Sequence, residues 1–388
     1  MKPTSRATPK PHLERPVEIR SLTGIRGVAA CYVMAYHLLQ GPLTRGPVQT
    51  FVNHGYIAVD LFFVLSGFVM ALTYAPLFAP RFEGRTYREF LWKRFGRVYP
   101  LYIVVTAAVI FVAWLAGGGP WSAGTIAANV LLIQTWGLAK SIVDAAWSIS
   151  TEFAAYIFFP LLLAVTVRGR WGITVLASML AVAVLAFVAS RSSIDLNQVY
   201  GGSTLRSGPL DVFGAHTPYP LLRCFAGFAL GLVAFRVARA PGATSLFGRA
   251  FVPEAIASIM VVLLFGRADV ALTFFFALLV IALALADRRS PVVRLLGSPV
   301  AYWLGLISYS IYLTHRLTSD LLRESAFDVA RRWHVPHAYT ATGAAMIALT
   351  LALSTLTYHA VEKPGRDSAR RLIGPRRPPP IEVEPSAP

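Results

Sequence analysis

The sequence has few charged residues, because Asp, Glu, Lys and Arg make up only 14% of its 388 residues, whereas 55% are hydrophobic. Its mean hydropathy is +0.57. So few charges cannot cover the surface of a soluble globular protein of this size. A soluble fold is therefore excluded, and we predict a protein that lies in a membrane.

Cysteine is scarce as well. The two cysteines, Cys31 and Cys224, both fall in apolar runs, which excludes a disulfide framework and gives no metal-ligand spacing. Lys and Arg outnumber Asp and Glu by 36 to 19, but they lie in short groups between apolar runs rather than on one polar domain. We therefore predict no metal cofactor and no nucleic-acid partner, and we interpret the basic groups as topology signals.

Ten apolar runs, each long enough to cross a membrane, follow one another along the chain. They lie near residues 21–39, 55–75, 98–116, 146–167, 172–190, 219–238, 250–266, 270–286, 301–320 and 339–361. This pattern predicts an all-α fold, a polytopic transmembrane helical bundle of about ten spans. Whether the further run 123–139 is a re-entrant or an interfacial helix instead of a span is open.

Basic residues are concentrated in alternate loops between these runs, and Lys- and Arg-rich loops are usually cytoplasmic. This pattern predicts that both termini are cytoplasmic in a multi-pass protein of the cell (inner) membrane. The first run lacks a cleavage site and is interpreted as a retained span. The predicted domains are a cytoplasmic tail over 1–20, a transmembrane domain over 21–361 and a Pro-rich cytoplasmic tail over 362–388.

Ionisable side chains occur inside the apolar runs, where each costs on the order of 3 kcal/mol and is therefore a candidate for function. Arg26 and His37 lie eleven residues apart in the first run, which puts them on one face of a helix. Asp60 lies in the second run and Glu152 in the fourth. For Asp60, a buried ion pair is as strong an interpretation as a direct catalytic role.

Two further groups of polar residues stand at the third and ninth runs. Arg94 and Arg97 are typical of positive-inside anchoring, and they suit the binding of phosphates equally well. Tyr309, Tyr312 and His315 follow a three-residue spacing, which aligns side chains along one helix face. Taken singly, each group is a weak signal.

The alternating directions of ten spans also predict a depth for each candidate. Five side chains fall in the outer half of the membrane: His37, Asp60, Glu152, Arg223 and His315. Three arginines fall toward the cytoplasm: Arg26, Arg94 and Arg97. We therefore expect a pore through the membrane, with cations at its cytoplasmic end and His37 near its outer end.

In their order along the chain, these residues resemble the acyltransferase-3 family of integral-membrane acyltransferases, which O-acylate surface polysaccharides and other exported carbohydrates. The resemblance covers residues 18–366. It rests on Arg26 with His37, the stretch from Val59 to Phe68, Arg94 and Arg97 before Tyr99-Pro100, Trp147-Ser148 with Glu152, and the run from Ser308 to His315.

The resemblance implies transfer of an acyl group, most often acetyl from acetyl-coenzyme A, with His37 as the leading catalytic residue. It also implies that Arg94 and Arg97 lie near the coenzyme phosphates. We interpret His37 as the general base, with Glu152 orienting it or stabilising its imidazolium. Arg26 joins the two other arginines in holding the donor.

The remaining candidates shape the pocket for a hydroxyl of an extracytoplasmic or lipid-linked carbohydrate: Trp147, Ser148, Arg223, Tyr309, Tyr312 and His315. A covalent acyl intermediate on Ser66 or Ser148 stays open, although no nucleophile-elbow pattern surrounds either serine. The alternative function is a proton-coupled transporter of a solute or lipid-linked sugar, which fits the composition and topology equally well. Binding of coenzyme A separates the two functions, because only the acyltransferase requires that donor.

Overall fold

The structure is a computed structural model, which describes residues 18–39, 46–78, 82–115, 117–119, 121–199, 207–213, 217–266, 268–335 and 338–373. Within these ranges every regular element is helical, as predicted. The first nine helices are α1 (Arg20–Leu38), α2 (Gly46–Asn53), α3 (Ala58–Phe78), α4 (Gly84–Leu115), α5 (Ala123–Val130), α6 (Trp147–Ile157), α7 (Phe159–Leu163), α8 (Trp171–Val199) and α9 (Tyr219–Ala238). The others are α10 (Ala243–Phe247), α11 (Val252–Phe265), α12 (Asp269–Leu285), α13 (Pro291–Leu296), α14 (Pro299–Leu306), α15 (Ser308–Arg332), α16 (Ala338–Thr357) and α17 (Lys363–Ile373).

Five stretches of the described chain are long and apolar enough to cross a membrane: Gly46–Phe78, Gly84–Leu115, Trp171–Arg191, Tyr219–Ala238 and Ala341–Leu372. A sixth candidate is bent by 64° between Asp144–Ile157 and Phe159–Arg168, while α11 and α12 are apolar but shorter. All ten predicted runs fall on helices. A polytopic helical membrane protein is therefore confirmed, whereas the count of ten spans and the orientation of the termini stay predictions.

The run 123–139 does not form one straight helix. Helix α5 has eight residues, which at 1.5 Å per residue cover less than half of a membrane core about 30 Å thick. The chain then turns through positive φ at Leu132 (59°) and Gly137 (88°). This geometry favours a re-entrant or interfacial segment over a span.

The two predicted tails are described only in part. Residues 1–17 and 374–388 lie outside the described residues, so most of the tail over 1–20 and the Pro-rich end of the tail over 362–388 do as well. Residues Lys363–Ile373, which we expected within that second tail, instead form α17 and pack against α4. The packed bundle therefore extends past residue 361.

Glycines allow the closest helix contacts, as is usual for helices packed in a membrane. A Cβ atom on Gly27 of α1 would lie 2.5 Å from the backbone nitrogen of Gly305 in α14. One on Gly67 of α3 would lie 2.1 Å from the carbonyl oxygen of Phe228 in α9. These contacts fix α1 against α14 and α3 against α9, and α1, α3 and α9 carry Arg26, His37, Asp60 and Arg223 of the candidate site.

Candidate active site

A cavity of about 430 Å³ lies among α1, α3, α9, α15 and the start of α6. His37 lines it from the last turn of α1, and His315 lines it from α15. Trp147 and Arg223 contribute from α6 and α9. We name this the outer cavity, after the membrane side predicted for these residues.

His37 and His315 are neighbours in the outer cavity. Their ring centroids lie 4.9 Å apart with 74° between the planes. The Nδ1 atom of His315 lies 3.2 Å from the carbonyl oxygen of Ile311, so this nitrogen donates. The Nε2 atom of His315 and the Nδ1 atom of His37 are both buried without a hydrogen-bond partner in the described part of the chain. The cavity therefore contains two imidazoles with ring nitrogens free to exchange a proton.

A smaller cavity of about 60 Å³, the inner cavity, is lined by Arg26, Ser66, Glu152 and Tyr309 among others. Tyr312 lines both cavities. Its hydroxyl lies 2.7 Å from the Oγ atom of Ser148, a hydrogen bond in which either oxygen can donate. Tyr312 and Ser148, both expected in the pocket, thus stand where the two cavities adjoin.

Glu152 lies in the inner cavity, apart from His37. Its carboxylate accepts hydrogen bonds from the hydroxyls of Ser66 and Tyr156. Because Trp147 begins α6 at the outer cavity, Glu152 lies five residues, about 7.5 Å, further along that helix. The structure therefore does not bring Glu152 to His37, whose ring contacts the rings of Tyr36 and His315.

Asp60 forms a buried ion pair with Arg223. Its two carboxylate oxygens accept from Nε and Nη2 of Arg223 at 2.9 and 2.6 Å, and both side chains are at most 1% exposed. Arg223 also donates to the carbonyl oxygens of Tyr56 and Val212 and lies 5.4 Å from the ring centroid of Trp147. The geometry favours the ion-pair interpretation of Asp60, because both of its oxygens are already occupied.

The arginines expected at the donor end lie near one another. Nη2 of Arg94 donates to the hydroxyl of Tyr74 at 2.9 Å, while its Nε is buried and has no partner among the residues that the structure describes. Arg26 and Arg97 lie close enough for their charges to interact. Across the described ranges, no carboxylate oxygen lies within 4.0 Å of these three guanidinium groups. Tyr309 connects this region to α15 by donating to the carbonyl oxygen of Val98 at 2.6 Å.

Some contacts of the site were not predicted from the sequence. Tyr156 lies four residues after Glu152, and this helical spacing could have indicated the pair. Tyr36, next to His37, donates to Asp211 at 2.9 Å. At the rim of the outer cavity, Arg316 donates to Asp144 at 2.6 Å. The last two pairs are distant in sequence, so no local pattern indicates them.

Comparison with known proteins identifies the family. The model of the acyltransferase-3 family, described as an acyltransferase domain, matches residues 19–358. The chain belongs to this family. The resemblance and the prediction of an acyltransferase enzyme are thereby confirmed, and the apolar helices fit a multi-pass membrane acyltransferase.

Two similar proteins match this acyltransferase over most of its length. It is 29% identical to the acyltransferase MdmB of Streptomyces mycarofaciens, over 94% of this chain and 95% of that protein. It is 24% identical to the putative peptidoglycan O-acetyltransferase YrhL of Bacillus subtilis, over 92% of this chain but 56% of that protein. The chain thus spans nearly all of the first relative and about half of the second. No solved structure matches it.

Proposed function

We propose that this acyltransferase moves an acyl group, acetyl in the simplest case, from cytoplasmic acyl-coenzyme A to a hydroxyl of an extracytoplasmic or lipid-linked carbohydrate. The observation that carries the proposal is that a histidine pair lines one cavity, while Arg26, which lies near Arg94 and Arg97, lines the adjoining one. The name of the Bacillus subtilis relative, a putative peptidoglycan O-acetyltransferase, supports the acetyl group and the carbohydrate acceptor.

His37 is the proposed general base. The acceptor hydroxyl attacks the carbonyl carbon of the thioester while His37 takes its proton, and the tetrahedral intermediate then collapses with loss of the C–S bond. His37 then passes the proton to the departing sulfur, and the products are coenzyme A and the ester of the acceptor. The position of His37 on the wall of the outer cavity supports this role, because the cavity of about 430 Å³ has room for an acceptor hydroxyl beside the ring.

The cluster of Arg26, Arg94 and Arg97 is proposed to hold the donor phosphates. Guanidinium groups match phosphate geometry, and these three have no carboxylate within salt-bridge distance in the described part of the chain. Asp60 is proposed to act through Arg223, which it fixes beside Trp147 in the outer cavity. Glu152 is proposed to shape the inner cavity through Ser66 and Tyr156 rather than to act on His37.

Tyr312 and Ser148 are proposed to separate the inner cavity, on the donor side, from the outer cavity, on the acceptor side. The inner cavity of about 60 Å³ has room for about two water molecules, which is too little for a pantetheine arm. The arm can reach His37 only if the hydrogen bond between Tyr312 and Ser148 opens. Donor binding therefore includes movement of these two side chains.

The remaining parts of the proposal concern the whole chain. We place residues 21–361 in the transmembrane acyltransferase domain and both flanking tails in the cytoplasm, with the protein in the cell membrane. The transporter alternative fits the composition, the topology and the buried ionisable groups, but the family match supports acyl transfer.

The proposal is tested with His37→Ala and the matched control His359→Ala, whose histidine is exposed at the end of α16. Acyl groups are measured on extracted envelope carbohydrates and secreted metabolites, and coenzyme A binding is measured on each purified protein. We expect His37→Ala to lower acylation about 10²–10⁴-fold with the Kd for coenzyme A within a few-fold of wild type, because a base acts on the transition state. Near-normal acylation by a folded His37→Ala protein, or failure of the wild type to bind coenzyme A, would overturn the proposal.

A further inference from the structure

Helix α17 lies directly against the segment of α4 that carries Arg94 and Arg97. A Cβ atom on Gly96 would lie 2.0 Å from the Cβ atom of Ala369, and one on Gly365 would lie 2.6 Å from Cγ of Pro100. Only glycine at these positions permits so close an approach. The C-terminal helix is therefore a fixed wall of the arginine cluster.

Arg366 follows Gly365 on this wall and is half-buried. Its Nη2 atom donates to the hydroxyl of Tyr358 over 3.4 Å, at the long end of the hydrogen-bond range, and its guanidinium lies 5.9 Å from the centroid of the same ring. Its Nε atom is buried and has no partner among the described residues. A buried guanidinium N–H without an acceptor is costly, which indicates that an acceptor is missing from its surroundings.

The charges around Arg366 do not balance. Four guanidinium groups belong to the region: Arg26, Arg94, Arg97 and Arg366. Two carboxylates accompany them: Glu152 and Glu362. Glu362 interacts electrostatically with Arg97, Arg366 and Arg26, yet no Arg–carboxylate pair of the region is closer than 4.0 Å in the described chain.

Glu362 does not remove this imbalance. It is 1% exposed, and its Oε2 accepts from Ser310 at 2.9 Å while Oε1 has no partner among the described residues. With both acids ionised, two positive charges of the region remain without a counterion. All four arginines are half-buried. Uncompensated charges are destabilising where they are partly removed from water, so the region is suited to an anion that carries about two negative charges.

We propose that Arg366 is a further ligand of a donor phosphate, which makes α17 part of the donor site. This inference rests on the proposed function and deepens it, because the ligand is a phosphate of acyl-coenzyme A. The coenzyme carries a diphosphate and a separate ribose phosphate, and either has the oxygen acceptors that Arg366 lacks. If Arg366 served only to neutralise Glu362, its replacement would change the Kd for ligands with and without phosphates by the same factor.

The test compares Arg366→Gln, Arg366→Lys and Arg370→Gln in nanodiscs. Arg370 is exposed on the same helix and controls for the loss of one charge. The Kd is measured for coenzyme A, for dephospho-coenzyme A and for pantetheine. We expect Arg366→Gln to weaken coenzyme A binding about 10-fold or more, the loss of one charge-assisted hydrogen bond, with partial recovery in Arg366→Lys and no change in Arg370→Gln.

The three ligands locate the contact. If Arg366→Gln raises the Kd for coenzyme A but not for dephospho-coenzyme A, Arg366 contacts the ribose phosphate. If it raises the Kd for both of these ligands but not for pantetheine, Arg366 contacts the diphosphate. A second variant, Gly96→Leu, forces α17 away from α4 and should weaken coenzyme A binding in the same direction.

Equal coenzyme A binding by wild type, Arg366→Gln and Gly96→Leu would overturn the inference while the proposed function stands. A penalty of equal size for pantetheine would also overturn it, because pantetheine has no phosphate group for Arg366 to contact. Absence of coenzyme A binding by the wild type would overturn the proposed function together with the inference.

Discussion

The imidazole rings of His37 and His315 lie 4.9 Å apart, centroid to centroid, although they belong to the first helix of the bundle and to α15. Neither ring has a carboxylate oxygen within 4.0 Å in the described ranges. The bond from Nδ1 of His315 to the carbonyl oxygen of Ile311 leaves Nε2 of that ring as a hydrogen-bond acceptor. His315 is thus the side chain best placed to position His37, a role that sequence analysis gave to Glu152.

His315→Gln tests this relationship. Glutamine retains polar atoms but cannot take up a proton as an imidazole does, so we expect kcat to fall on the order of 10-fold, about 1.4 kcal/mol of activation free energy. The donor KM should be unchanged, because Arg26 lies eleven residues, about 16 Å, from His37 along α1. Steady-state kinetics against His359→Gln checks the prediction, and a change in donor KM alone would contradict it.

The helical fold was predictable because apolar runs of spanning length have few alternatives in a membrane. All ten runs are helical, yet several depart from straight spans for reasons that hydropathy does not report. The fourth run bends by 64° at the break before Phe159, and the ninth breaks at Ile307 between α14 and α15. Helix α17 was missed because its mean composition is polar, and its packing depends on Gly96 and Gly365.

The candidate residues could be selected from the sequence more readily than the contacts between them. Buried charge is expensive in a membrane, so Arg26, Asp60 and Arg223 could be singled out from hydropathy alone. The partner of each charge depends on how helices far apart in sequence pack together. Counting residues along each helix predicted a similar depth in the membrane for Glu152 and His37. Depth does not show which of two cavities a residue lines, and these two cavities adjoin at Tyr312.

The ion pair of Asp60 and Arg223 should stabilise the bundle. Asp60→Asn leaves a buried guanidinium without its counterion and should lower the free energy of unfolding by about 3–5 kcal/mol. Replacing both residues, as Asp60→Leu with Arg223→Met, should recover part of this loss because no charge is left unpaired. Thermal unfolding in detergent of Asp60→Leu, Arg223→Met and the double variant measures the coupling. Additive losses would show that the pair does not act as a unit.

Gly67 should be intolerant of even a methyl group. A Cβ atom there would lie 2.1 Å from a backbone oxygen of α9, which cannot move aside as a side chain would. We expect Gly67→Ala to lower the free energy of unfolding by about 1–3 kcal/mol, the usual range for overpacking. Gly118→Ala is the matched control, because a Cβ atom at Gly118 meets nothing within 4 Å. Equal melting temperatures for the two variants would contradict the close packing of α3 and α9.

The orientation of the bundle is tested by reporters fused after selected residues. Fusions after residues 85, 169, 240 and 290 should behave as cytoplasmic, because Lys and Arg accumulate on that side. Fusions near residues 45, 205 and 330 should behave as external, although residues 45 and 205 lie outside the described residues. An external signal at residue 85 would contradict the orientation at its most basic loop.

The arginine cluster gives a prediction that depends on salt. Arg94→Gln and Arg97→Gln remove charges that are proposed to contact the donor phosphates, so each should raise the donor KM, and the double variant should raise it further. The increase in donor KM should grow as salt is lowered, since the screening length increases from about 8 Å at 0.15 M to about 30 Å at 0.01 M.

Arg88→Gln is the matched control, because Arg88 is exposed on the same helix. Titrations of acyl-coenzyme A at several salt concentrations check the prediction. If the folded double variant binds the donor as the wild type does at every salt concentration, Arg94 and Arg97 serve only as topology anchors.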